Sequence, residues 1–82
     1  MIESKDNPQI KYLKKLQTKK YRDEYNEFLI FGEHLIEEAE KHGEIVKLYT
    51  TNHEKKGLLI SKNLMKDLNF TKTAFDRLAI VK

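Results

Sequence analysis

Residues 28–44 read FLIFGEHLIEEAEKHGE, and this stretch sets the fold class. Phe28, Leu29, Ile30 and Phe31 are apolar without alternation, as in a strand buried on both faces. Gly32 ends the run where a strand-to-helix turn leaves no room for a side chain. From Glu33 the period becomes helical. Leu35, Ile36 and Ala39 share one face, and Glu33, Glu37, Glu38, Glu40 and Lys41 cover the rest. Glu33, Glu37 and Glu38 sit early, where the helix dipole favours negative charge, and Gly43 supplies a C-terminal stop. Strand, glycine turn and acidic helix form the first half of a βαβ unit.

Upstream, Asn7-Pro8 is a helix start: a capping side chain, then proline where no amide donor is required. Ile10, Leu13 and Leu16 (or Gln17) follow at helical spacing, with Lys11, Lys14 and Lys15 on the other sides. Thr18 is a second cap, opening a short helix that carries the basic patch Lys19-Lys20-Tyr21-Arg22. Tyr21 reads as a partly buried tyrosine, with stacking on an unpaired base as the functional alternative. Tyr25 and Phe28 carry the chain down into the core.

Downstream, residues 44–52 (EIVKLYTTN) have strong strand propensity. A helix separates them from the first strand, which favours a parallel, right-handed crossover. Residues 52–57 form a charged loop. Leu58-Leu59-Ile60 reads as a short buried strand, and Ser61 caps a helix through Leu68 with Leu64, Met65 and Leu68 as its apolar face. Residues 69–76 make an irregular connection containing Phe70 and Phe75, and Leu78–Val81 form a last strand. The expected architecture is a single α/β domain over residues 1–82, a small three-layer α/β/α sandwich with a mostly parallel sheet. The last strand is expected to lack a cover for its edge, as in a module followed by another.

An 82-residue chain allows one domain with a thin core, and its apolar content is 39%. It has no cysteine, which excludes disulfides and cysteine-ligated zinc and favours a reducing, cytoplasmic setting. No apolar run has the length of a membrane span. Charge is segregated. Residues 1–22 hold seven Lys/Arg against two acids, residues 23–44 eight acids against one lysine, and residues 45–82 eight Lys/Arg against three acids. A basic face of this kind is the electrostatic footprint of nucleic acid; ordinary solvated surface is the plain alternative.

Catalytic chemistry finds little support. Glu33, Glu37 and Glu40 share a helix face, but no aspartate or histidine joins them at a metal-binding spacing. His34, His42 and His53 lie on different elements. Ser4 and Ser61 lack a nucleophile-elbow context, and the three glycines are isolated, so no phosphate-cradling loop is present.

The ordered set of Asn7-Pro8, Ile10-Lys11, Leu13 and Leu16, Lys19-Lys20-Tyr21-Arg22, Phe28-Leu29-Ile30, Gly32–Ala39 and Leu58–Ser61 resembles the N-terminal substrate-binding domain of SpoU/TrmH-type RNA ribose 2′-O-methyltransferases. The resemblance covers essentially the whole chain. It implies a fold related to ribosomal proteins that bind kinked RNA, and a role in holding ribosomal or transfer RNA. It also implies that the methyl donor, S-adenosylmethionine, binds in a separate knotted domain that dimerises, so this chain alone holds no cofactor and is not catalytic. By motif position it assigns Asn7, Lys11, Arg22 and Gly32 to the RNA-facing end, with Lys19 and Lys20 beside them. Two departures stand out. Phe31 replaces the glutamate usual before the glycine, where it would expose an apolar ring. Thr73-Ala74-Phe75-Asp76 replaces the usual Thr-Pro-Gln-Gly. A protein-interaction or dimerisation module, using the acidic helix and Phe31, is the alternative reading.

Overall fold

The computed structural model describes residues 1–69 and 73–82. Its elements follow the expected order: α1 (Pro8–Lys15), α2 (Lys19–Tyr25), β1 (Phe28–Phe31), α3 (Glu33–Lys41), β2 (Ile45–Thr50), β3 (Leu58–Leu59), α4 (Lys62–Leu68) and β4 (Arg77–Val81). Of the three side-chain caps read from the sequence, those at Asn7 and Ser61 form. Asn7 Oδ1 accepts from the Gln9 amide at 2.8 Å, and Ser61 Oγ accepts from the Leu64 amide at 3.2 Å. Asn7→Ala and Ser61→Ala should each remove about 1 kcal/mol. A fall of roughly 4–8 °C in the thermal midpoint would register it. Thr18 precedes α2 but makes no capping hydrogen bond; its hydroxyl donates to the Lys15 carbonyl instead.

The sheet order is β1-β4-β2-β3. β4 is antiparallel to both β1 and β2, while β3 is parallel to β2. β1, β2 and β3 therefore run in one direction, as the crossover reading requires. The sheet is nonetheless mixed rather than mostly parallel, because β4 occupies the slot between β1 and β2. The cause lies in where the chain re-enters: the Thr51 amide at the end of β2 donates to the Asp76 carbonyl at the start of β4, at 2.8 Å. A strand entering from that end runs down the sheet against its neighbours.

Burial follows from this order. All five residues of β4 are buried, as suits an apolar strand with helices on both sides and strands on both edges. The expectation of an uncovered edge for β4 is thus overturned. β1, read as buried on both faces, is a half-buried edge strand. Phe28 and Tyr25 are each 41% exposed and do not enter the core. On one face of the sheet Ile10, Leu13 and Leu16 pack with Leu64, Met65 and Leu68 over Tyr49, Leu78 and Ile80. On the other, Ile36 and Ala39 pack over Ala79 and Val81. These two clusters are the outer interfaces of the expected three-layer sandwich. The Tyr49 hydroxyl, whose pKa burial raises, donates to Gln9 Oε1 at 2.9 Å and ties the start of α1 to β2. Phe70 lies outside the described residues.

Candidate nucleic-acid interface

The two basic helices meet around one aromatic ring. Lys15, from the last turn of α1, and Lys20, from the first turn of α2, each place Nζ 5.5 Å from the centroid of Tyr21. Tyr21 is half-buried and stacks on Tyr25 with centroids 6.1 Å apart. Tyr25 in turn meets Tyr12 at 5.3 Å. The Tyr12 hydroxyl donates to Glu27, and burial with that bond pushes its pKa up to about 12. Glu27, the acid nearest in sequence to β1, is thereby engaged with Tyr12.

Helical spacing extends this corner. Asn7, Lys11 and Lys15 are successive i, i+4 positions and so line one side of α1. The row runs about 12 Å from the cap to Lys15 and ends at Tyr21 and Lys20. Lys11, Lys15, Lys20 and Arg22 have no carboxylate within salt-bridge distance among the described residues. Lys19 pairs with Asp23 at 2.8 Å, but both side chains are well exposed, and such a pair contributes little. No acid of α3 is paired with a cation of residues 1–22 among the described residues; Glu33 and Glu38 engage Arg77, Lys55 and Lys41. Lys15 belongs to the corner although the sequence pattern gave it no special place. Its signal was the pair Lys14-Lys15 immediately before the α2 cap. Asn7 spends its side-chain oxygen on the cap, so Asn7→Asp keeps the cap while removing the amide donors.

Gly32 lies elsewhere, at the end of β1, on a cleft of about 850 Å³ between α4 and residues 73–76. Its φ is +94°, and a Cβ there would sit 2.9 Å from Phe75 Cε1. The Phe75 ring also meets that of Phe31 at 6.1 Å. The two departures from the family pattern are therefore in contact. Phe31 is half-buried, packed against the core and against Phe75, and does not present a bare apolar ring. Gln17, at the α1–α2 corner, donates its side-chain amide to the carbonyl of Leu68, next to Asn69 on the cleft wall. The basic corner and the cleft are thus neighbours.

An ion network closes the cleft on the side of α3. Arg77 is buried and grips Glu33 in bidentate fashion, Nε to Oε1 at 2.8 Å and Nη2 to Oε2 at 2.7 Å. Its Nη1 donates to the Lys56 carbonyl at 3.0 Å. Lys55 bridges Asp76 at 2.9 Å and Glu33 at 3.5 Å. The hydrogen bonds donated by Arg77 hold the Glu33 pKa below its usual value, while donating to Asp76 raises that of Lys55 and donating to Glu33 raises that of Arg77. Because Glu33 is depressed when folded, its contribution is present above the ordinary carboxylate pKa of about 4.3 and fades as pH falls through the lowered value. Glu33→Gln should cost about 1–2 kcal/mol at neutral pH and flatten the acid limb of the stability profile. Urea midpoints between pH 3 and pH 7 test this; an unchanged acid limb would remove Glu33 from the account.

Among the described residues no group of three or more His, Asp or Glu is placed to hold a metal ion, and no helix is long and apolar enough to cross a membrane. The model of the MRM3-like substrate binding domain family matches residues 7–79. The 23S rRNA (guanosine(2553)-2′-O)-methyltransferase RlmP of Bacillus subtilis is 59% identical over 46 residues, covering 56% of this chain and 18% of that protein. A solved RNA 2′-O ribose methyltransferase superposes on 99% of this chain and 36% of its own, with TM-score 0.83 and 29% identity. An rRNA methyltransferase from Sinorhizobium meliloti gives TM-score 0.78 at 23% identity, over 99% of this chain and 36% of its own; at that identity the likeness concerns the fold. The chain spans less than two fifths of the length of each of these relatives.

Proposed function

The chain belongs to the MRM3-like substrate binding domain family, and from that premise we propose that it holds RNA for a ribose 2′-O-methyltransferase acting on ribosomal RNA. The observation that carries this reading is the pair Lys15 and Lys20 set against Tyr21, with Lys11 one turn before Lys15 and Arg22 next to Tyr21 in α2, all four unpaired with acids among the described residues. Lysines meet phosphate as point charges, the arginine can grip it bidentately, and the tyrosine offers a face to a base. The contribution is affinity and orientation. S-adenosylmethionine, the methyl donor of such an enzyme, is assigned to another part of the protein, which also supplies any dimer contact. The match of residues 7–79 to a substrate binding domain supports keeping the chemistry outside this chain. The cytoplasm, where ribosomal RNA would be the substrate, is the matching compartment. Transfer RNA is the competing substrate.

The test is binding of the 82-residue chain to ribosomal-RNA fragments and to transfer RNA across 50–200 mM salt. Affinity should fall steeply and log-linearly with salt, with the ribosomal fragments bound more tightly. An absence of binding at the lowest salt would end the reading, and preference for transfer RNA would reassign the substrate. The interaction-module reading loses one of its two supports, since Phe31 is packed against Phe75.

A further inference from the structure

We propose that the cleft between α4 and residues 73–76 receives a single unpaired RNA base, held against Phe75, with its flanking phosphates on Lys62 and Lys66. The inference rests on the RNA-holding reading above and adds a second site to it. The cleft volume of about 850 Å³ lies within the range of roughly 300–1,000 Å³ common to small-ligand sites. Its apolar walls come from Met65, Ala74 and Phe75, together with the bare backbone of Gly32. Phe75 remains half-buried, and Ala74 beside it is exposed.

Charge selects the occupant. Lys62 and Lys66 stand one turn apart on the cleft side of α4, both exposed and without a carboxylate partner among the described residues. The acids of the opposite wall, Glu33 and Asp76, are already satisfied by Arg77 and Lys55. The mouth of the cleft is therefore cationic and its interior apolar with an aromatic ring. That pairing suits a base with phosphates on either side, since base–aromatic stacking and backbone charge are the two terms of single-strand binding. Position agrees: the bond from Gln17 to the Leu68 carbonyl joins the basic corner to the same end of α4. α1 and α4 pack on the sheet face opposite α3.

Two RNAs separate this inference from the one it rests on: a hairpin with a single bulged 2-aminopurine, and the same hairpin fully paired. The 82-residue chain should bind the bulged form more tightly, on the order of tenfold, as expected for one stacked base, and quench the probe. Phe75→Ala should abolish the preference while leaving the paired form unaffected. Should Phe75→Ala fail to fold, Lys62→Ala/Lys66→Ala, at two exposed positions, should still weaken the bulged form more than the paired one. Equal affinity of the unmodified chain for both RNAs would overturn the proposal. So would a preference that a folded Phe75→Ala leaves intact, or that the two-lysine variant leaves undiminished. Binding to neither RNA would overturn the RNA-holding reading itself.

Discussion

Replacing Gly32 by alanine should lower the unfolding free energy by about 1.5–4.5 kcal/mol, a large part of what a domain of this size possesses. Two separate effects add. With φ +94° and ψ 156°, Gly32 occupies backbone space that is nearly glycine-only, and an alanine held there costs about 1–3 kcal/mol. The added Cβ would also stand 2.9 Å from Phe75 Cε1 and 3.0 Å from Cδ1, so the ring must move. The ring borders the open cleft and can swing into it, so this adds only about 0.5–1.5 kcal/mol, the scale of a displaced rotamer. The two parts come apart in a double variant. Gly32→Ala/Phe75→Ala relieves the steric part and leaves the strain, so its destabilisation should be smaller than the sum of the single ones by about 0.5–1.5 kcal/mol. Urea unfolding followed by far-ultraviolet circular dichroism measures all four forms. Strict additivity would show that Phe75 does not press on Gly32.

Local signals located the elements well, because each is carried by neighbouring residues. Asn7-Pro8 and Ser61 open α1 and α4, Gly32 opens α3, and the chain leaves α3 through His42 and Gly43. Sheet order depends on long-range competition and was not legible in the same way. Phe28–Phe31 and Leu78–Val81 are both short unbroken apolar runs, and periodicity alone ranks them equally for the buried centre. The arrangement that won gives Leu78, Ala79, Ile80 and Val81 the central place. Those four residues suit it because the small Ala79 lets Ile36 and Ala39 of α3 come close on one side. Phe28 at the edge then costs less than it would in the middle.

The candidate site divides along the same line. Lys11, Lys19, Lys20 and Arg22 are surface residues on helices with clear starts, so their exposure follows from the helix reading. Lys15 joins them through the angle between α1 and α2, which no local pattern encodes. The cleft was hidden more deeply. Its closing ion pair joins Glu33 to a residue 44 positions away, Arg77, which in sequence is one arginine before an apolar run. Phe31 and Phe75 stood out individually as departures from the family pattern, but their contact shows only in the folded chain.

Substituting Lys19, Lys20 and Arg22 together by alanine should weaken RNA binding and its salt dependence: from 50 to 200 mM salt the variant should lose roughly 20- to 40-fold less affinity than the unmodified chain, with the fold intact. The magnitude follows from counterion release: three phosphate contacts contribute a log–log salt slope of about −2 to −3, depending on whether the RNA is single- or double-stranded. The variant should therefore bind with a slope shallower by that amount, and converge with the unmodified chain at high salt. Stability should barely change, because all three side chains are exposed and their one ion pair, Lys19 to Asp23, is a solvated i, i+4 contact. That pair offers a control of opposite sign. Asp23→Asn frees Lys19 from its partner and removes a negative charge from α2, so RNA affinity should rise at low salt. Filter binding across the series, with circular dichroism to establish folding, reads every term. A triple variant that stays folded and binds with unaltered slope would move the phosphate contacts off α2, leaving Lys11 and Lys15 of α1 and the α4 lysines to carry them.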